Sequence, residues 1–307
     1  MTLTIRKRLS GVFLAVLFLT SFLLTYGPHW NARLPSWDSV YSWFRLTDPL
    51  SDAYDQPFTV TFLDVGQGDC ALVLTDSAAI LIDTGTPGNE EAILNRLSRL
   101  NVTQLDCVIA THPHEDHIGS LSGLLDEVPV GQILQPDIRV EDLDDPVLYR
   151  DYLAKAFARH IPVRTVHPPE ILTFGSIRVE LLGPLRVSEN INNDSIAVRI
   201  SYGTCSVLLT GDMEAEEESD LLASGANLSA DILKVGHHGS ESSTTLPFLL
   251  AVHPEAAVIS VGAGNDYGHP HPEVLERLAE QDIPVFRTDE QGTLVFGSGG
   301  NAWFLPE

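Results

Sequence analysis

Within six residues the chain places His112, His114, Asp116 and His117. Imidazole and carboxylate together are the ligand types of divalent transition metals. An apolar run over 105–110 precedes them and reads as a buried strand. On its extended continuation His112 and His114 lie two positions apart, so both rings point the same way. Asp116 and His117 sit at the turn into a helix expected over 119–127. One loop can therefore give two ligands to one ion and two to a neighbour about 3.5–4 Å away, the spacing of two-metal hydrolysis.

Two later segments repeat the plan. Leu208-Leu209-Thr210-Gly211-Asp212 is a strand stopped by a Gly-Asp turn, so Asp212 projects from a strand tip. Its carboxylate there either bridges two cations or caps the helix that follows. Leu233-Lys234-Val235-Gly236-His237-His238 ends a further strand on a histidine pair. Adjacent side chains diverge in an extended segment, which predicts that one of the two ligates. His237 is the expected ligand, with His238 behind it or facing substrate.

The elements that must hold these groups are legible as short strands with interposed helices. Strands are expected over 58–65, 70–75, 79–83, 105–110, 177–182, 195–201, 205–210, 230–235, 256–261, 285–287 and 293–296. Helices are expected over 89–100, 119–127, 145–160, 214–223 and 271–280. Ile93, Leu94, Leu97 and Leu100 mark the buried stripe of the first. Strand clusters in two halves, each with helices, predict two mixed sheets packed face to face with helices outside.

With these motifs in order, the chain resembles the metallo-β-lactamase fold superfamily: the His112 to His117 loop, Leu81-Ile82-Asp83-Thr84-Gly85, Thr210-Gly211-Asp212 and His237. Asp64-Val65-Gly66-Gln67-Gly68-Asp69, residues 233–240 and Tyr267-Gly268-His269-Pro270 are similar to the extracellular hydrolase domain of the ComEC DNA-internalisation family. The resemblance covers residues 58–296 and implies an αββα sandwich with two divalent ions, zinc or manganese, between the sheet edges. His112, His114 and Asp212 would take one ion, and Asp116, His117, Asp212 and His237 the other. The superfamily's intervening metal histidine is missing, because His160 and His167 read as surface residues. Asn192-Asn193-Asp194-Ser195 stands in that region, so Asn192, Asn193 and Ser195 are substrate or supporting candidates. A site richer in oxygen puts manganese beside zinc. Asp83 is expected to orient a ligand histidine, and Asp69 to line the cleft or simply close its turn. His269 would protonate a leaving group or bind a phosphoryl oxygen. Asp116, His238 and His269 are the candidates for direct catalytic roles.

Composition sets the limits. At 307 residues, 44% apolar and 20% charged, the chain suits an ordinary globular core, in one large domain or two small ones. Cys70, Cys107 and Cys205 lie in apolar runs and are odd in number, which predicts buried thiols rather than a disulfide framework or zinc ribbon. Arg6-Lys7-Arg8 precede an apolar run over 11–26, and Pro28 follows the nearest cleavage candidate. That segment is expected to remain as a single-pass membrane anchor, the alternative being a cleaved signal that would leave the protein secreted; either way the rest of the chain is expected to be extracytoplasmic. The expected organisation is an anchor or signal segment over 1–26, a juxtamembrane linker over 27–56 and the hydrolase domain over 57–307. Past residue 26, 15 basic and 42 acidic residues leave a net charge of −27, which repels nucleic acid at long range. The leading expectation is a membrane-tethered phosphodiesterase or DNase. A cell-surface choline-phosphoester hydrolase is its enzymatic rival, and a noncatalytic metal-containing surface-binding domain the alternative of another class.

Overall fold

Short strands, buried on both faces and alternating their side chains between them, build the interior. Along β1 (Phe58–Phe62) the side chains of Phe58, Val60 and Phe62 turn to one face. The other strands are β2 (Ala71–Thr75), β3 (Ala78–Ile82), β4 (Cys107–Ile109), β5 (Ile133–Gln135), β6 (Val163–Thr165), β7 (Glu170–Phe174) and β8 (Ile177–Leu181). They continue with β9 (Val198–Tyr202), β10 (Cys205–Leu209), β11 (Ile232–Lys234), β12 (Ala256–Ile259), β13 (Val285–Arg287), β14 (Leu294–Ser298) and β15 (Trp303–Phe304). The structure, a computed structural model, describes residues 19–22, 51–143 and 146–305. The chain divides into Met1–Ser51 and Asp52–Glu307, and these strands all belong to the second unit. In the first, residues 19–22 are helical and exposed. The expected anchor and linker otherwise lie outside the described residues, up to residue 50. Among those described, no helix is long and apolar enough to cross a membrane.

The strands form two mixed sheets. One runs β15-β14-β1-β2-β3-β4-β5-β6 and the other β13-β12-β11-β10-β9-β8-β7. In each, an antiparallel half meets a parallel half: β3 to β6 are parallel in the first, β10 to β13 in the second. Three apolar clusters define four layers. Phe62, Val73, Ile80 and Ile109 meet Val179, Val198, Val207 and Val258 between the sheets. The opposite face of the first sheet packs Leu81, Val108 and Ile133 on α1 (Glu90–Arg99), α2 (Glu115–Ile118), α3 (Leu121–Glu127) and α4 (Val147–Ala158). The opposite face of the second packs Leu208, Leu233 and Ala257 on α5 (Ala215–Ser224), α6 (Leu246–Val252) and α7 (Pro272–Ala279). The expected αββα sandwich is the observed one.

Local chemistry explains the helices that frame the site. Glu90 and Glu91 open α1 and Arg96 and Arg99 close it, complementing its dipole, while Ile93 and Leu97 bury one stripe. Gly225, left-handed at φ 72°, ends α5. The strands β5, β6, β7 and β15 and the helices α2 and α6 are additions to the elements expected from the sequence; Asp116 and His117, expected at a turn, lie within α2. Three-residue strands such as β5 and β6 are too short to show a period. The three cysteines are free and buried, as expected.

Candidate metal centre

Every expected ligand sits where a parallel strand ends. Asp83 follows β3, the loop from His112 follows β4, Asp212 follows β10, and His237 and His238 follow β11. Both sheets therefore deliver their polar residues to one edge of the sandwich, as the carboxyl ends of parallel strands commonly do. The turn after β3 fixes the loop: the amide of Thr84 donates to the His117 carbonyl at 2.6 Å, and that of Gly119 to Gly85 at 2.9 Å. Gly211, with φ 53°, lets the Asp212 turn close on the loop, since a Cβ there would stand 2.9 Å from the hydroxyls of Ser195 and Thr111.

Two ligand groups share one carboxylate. Asp116, His117, Asp212 and His238 offer ligand atoms all within 4.8 Å of one another, and so do His112, His114 and Asp212. His117 Nε2 stands 3.2 Å from Asp212 Oδ1, and His112 Nε2 is 3.0 Å from His114 Nδ1. Asp212 is not the cap of α5, because that position belongs to Glu214. Of the two alternatives for Asp212, the geometry keeps the one between the groups.

Asp83 behaves as an orienting carboxylate. Its Oδ1 accepts from the Thr111 amide at 2.8 Å, and its Oδ2 from the Thr111 hydroxyl at 2.7 Å. The same Oδ2 lies 2.8 Å from His117 Nδ1, which places that proton on Nδ1 and turns Nε2 into the site. Burial disfavours the His117 imidazolium, but Asp212, Asp83 and Asp116 outweigh it and hold its pKa well above the ordinary value. Burial likewise pushes Asp212 up, but His238 and His117 outweigh it and hold its carboxyl well below the usual range. Burial, reinforced by His117, keeps His112 well below the ordinary histidine value, so it stays a neutral ligand.

His238, rather than the expected His237, joins the Asp116 group. Its Nδ1 donates to the Ser260 carbonyl at 2.9 Å, and its Nε2 lies 3.0 Å from Asp116 Oδ2 and 3.5 Å from Asp212 Oδ2. His237 is less buried, 3.8 Å from Asp212 through Nε2 and 3.3 Å from Glu214 through Nδ1. The extended geometry assumed for this pair is absent. His237 and His238 both adopt left-handed backbone, at φ 48° and 54°, inside a single tight turn. Such backbone costs roughly 1–3 kcal/mol per residue and gathers at functional sites.

The remaining candidates divide. Asp69 is buried beside His238, with its Oδ1 3.3 Å from Nδ1. Ser195 accepts the Asp212 amide at 3.0 Å and lies 3.3 Å from His112 Nδ1, so it supports the site from behind. Asn192 lines the cleft, while its amide nitrogen donates to Glu214 at 3.0 Å. Asn193 faces away: its Oδ1 accepts the Glu214 amide and its nitrogen reaches Glu216. His160 and His167 are exposed, as expected. His269 lines the cleft with its pKa pushed down to about 4, by burial and by His237 and His238. A neutral His269 suits hydrogen bonding to a phosphoryl oxygen better than protonating a leaving group. Sequence reasoning gave no role to Lys234 or Tyr267. A lysine inside the apolar run before Gly236 was the available signal for the first. Tyr267 is 67% exposed and stacks on His269 with ring centroids 5.7 Å apart.

The residues fit divalent metal. His117 Nε2 and Asp212 Oδ1 are buried, face each other and have no hydrogen-bond partner, as two ligand atoms of one ion would. Above them opens a cleft of about 630 Å³, with Asp116, Asp212, His114, His238 and His269 on its polar side. Leu143, Val147, Leu148 and Ile191 form an apolar wall, and no lysine or arginine lines it among the described residues.

Comparison with known proteins agrees with this architecture. Residues 63–263 match the model for the Metallo-beta-lactamase superfamily. The chain is 32% identical over 256 residues to ComE operon protein 3 of Bacillus subtilis, covering 77% of this chain and 32% of that relative. It is 33% identical over 243 residues to Competence protein ComA of Neisseria gonorrhoeae, covering 78% and 32%. The chain thus spans about a third of the length of these relatives. Among solved structures, the metallo-beta-lactamase fold protein YhfI from Bacillus subtilis superposes with a TM-score of 0.52 at 16% identity, covering 78% of this chain and 99% of that one.

Proposed function

The chain belongs to the metallo-β-lactamase superfamily, and we propose that it is a dinuclear metal-dependent phosphodiesterase, acting outside the cytoplasm on a membrane tether. The observation that carries this reading is the pair of ligand groups sharing Asp212. His112, His114 and Asp212 would hold one divalent ion, zinc or manganese, and Asp116, His117, Asp212 and His238 the other. Two such ions supply an ionised water at neutral pH and offset charge on the attacking and leaving oxygens of a phosphodiester. The chain's own residues do the rest. Asp83 keeps His117 Nε2 turned inward, Ser260 does the same for His238, and neutral His269 donates a hydrogen bond to a phosphoryl oxygen. The kinship with proteins named for competence, over the folded part of the chain, supports DNA as the diester.

The cleft itself favours a second reading within the same chemistry. Without lysine or arginine on its walls among the described residues, and within a strongly acidic chain, it offers a long polyanion no cationic contact there. A small diester, such as a choline phosphoester of a cell-surface polymer, meets no such barrier. The test is hydrolysis by the full chain, supplied with manganese or zinc, of single- and double-stranded DNA, a chromogenic diester, a phosphorylcholine ester and a β-lactam. Diester cleavage lost in Asp212→Ala, with the fold retained, is the expected result. Metal binding without cleavage of any diester would turn the reading to a noncatalytic binding domain.

A further inference from the structure

Below the ligand groups lies a buried ion pair that joins the two sheets. Lys234 ends β11 and is 1% exposed, among the largest fully buried side chains of the chain. Its neighbour Ile232 faces the space between the sheets and Leu233 the outer helices, so alternation sends Lys234 into the inter-sheet space at the end nearest the site. There its ammonium pairs with Asp69 of the first sheet's β1–β2 turn and donates to the Gly211 carbonyl at 3.0 Å. Taking an ammonium out of water carries a large penalty unless the groups around it are fixed. A position given over to such a pair at the floor of a ligand cluster points to a task there.

The pair reaches every member of the Asp116, His117, Asp212 and His238 group, directly or through the turns that hold them. Asp69 Oδ1 lies 3.3 Å from Nδ1 of His238, on the ring edge opposite the nitrogen that faces Asp116 and Asp212. The Asp69 amide donates to the Asp116 carbonyl at 3.1 Å, and its carbonyl accepts from Gly85, in the turn that holds His117. Gly68, with φ 149°, brings this turn so close that a Cβ would stand 2.4 Å from the Asp116 carbonyl oxygen. Through Gly211, Lys234 grips the residue before Asp212, whose Oδ1 is 3.9 Å from the ammonium.

We propose that Lys234 and Asp69 are positioning residues for the metal centre, a fixed cation and its carboxylate that hold His238, Asp212 and Asp116 in register across the two sheets. Ser260 fixes the His238 ring through Nδ1, and Asp69 adds a buried carboxylate on the same edge of that ring. The pair also places a positive charge beside two carboxylates, Asp69 and Asp212, so that the centre does not rely on divalent ions alone to keep them together. The inference rests on the metal-centre reading above, but not on the identity of the substrate.

The test is cobalt(II) titration of the full chain, followed by its visible d–d absorption, which reports the ligand set independently of turnover. Wild type is compared with Lys234→Met, Asp69→Asn and the double variant D69N/K234M, which removes both charges together and keeps the test open should a single variant fail to fold. Each folded variant is expected to bind one of two cobalt ions at least ~10-fold more weakly, with shifted absorption bands. The double variant is expected to be no worse than the single ones, because the pair acts as a unit. A folded variant that binds both ions with wild-type affinity and unaltered bands would overturn the proposal while leaving the metal centre standing. A wild-type chain that binds no cobalt would overturn both.

Discussion

Asp212 and His238 are the side chains on which the proposed chemistry turns. His238→Ala is expected to remove one metal ion and lower diester hydrolysis by more than ~100-fold, whereas His237→Ala keeps both ions and costs ~10-fold. Metal content by mass spectrometry, read beside the rates, separates the two, and equal losses would contradict the assignment. Asp83→Asn is expected to weaken metal binding ~10–100-fold by freeing the His117 ring, measured by competition with a chelating dye. Much of this site was legible before the fold. Spacing alone brought His112, His114, Asp116 and His117 together, because their grouping depends on one loop. The choice between His237 and His238 was not, since it turns on two left-handed residues that no side-chain pattern encodes. Lys234 escaped for a related reason: its partner Asp69 is 165 residues away in sequence and meets it only when the two sheets pack.

Elements, rather than residues, set how rigidly that edge is held. The inter-sheet cluster around Ile80 and Val207 carries the sandwich, and Ile80→Ala is expected to cost ~2–4 kcal/mol of unfolding free energy, measured by urea titration. The acidic helix α5 adds a pH dependence. Glu217 is buried and accepts the Leu185 amide at 2.9 Å, and burial raises its pKa from 4.5 to about 7. Between those values the folded state keeps a proton that the unfolded chain has released. Stability from this group is therefore full below about 4.5 and lost as pH climbs through about 7. Glu217→Gln should match wild type near the lower value and exceed it by roughly 3 kcal/mol above the upper one; a difference independent of pH would contradict the assignment. Alternating strands and the stripe of α1 announced the four layers in the sequence. The three-residue strands β5 and β6 did not, because parallel pairing with their neighbours, not a local period, makes them strands.

At the scale of the whole molecule, charge and chemistry pull in different directions. The net charge of −24 and a cleft without lysine or arginine among the described residues mean that any DNA substrate approaches against repulsion. Raising ionic strength from ~0.01 to ~0.15 M should therefore speed hydrolysis of DNA and leave a small neutral-tailed diester nearly unchanged. A steep fall with salt would instead reveal cationic contacts to phosphate. The most direct measurement of the central claim is stepwise addition of manganese to the metal-free full chain, with bound ion and chromogenic diester hydrolysis followed together. The shared Asp212 predicts about two ions per chain, activity that rises as the second binds, and loss of both activity and the second ion in Asp212→Ala. Full activity at one ion per chain, or hydrolysis undiminished in Asp212→Ala, would contradict it.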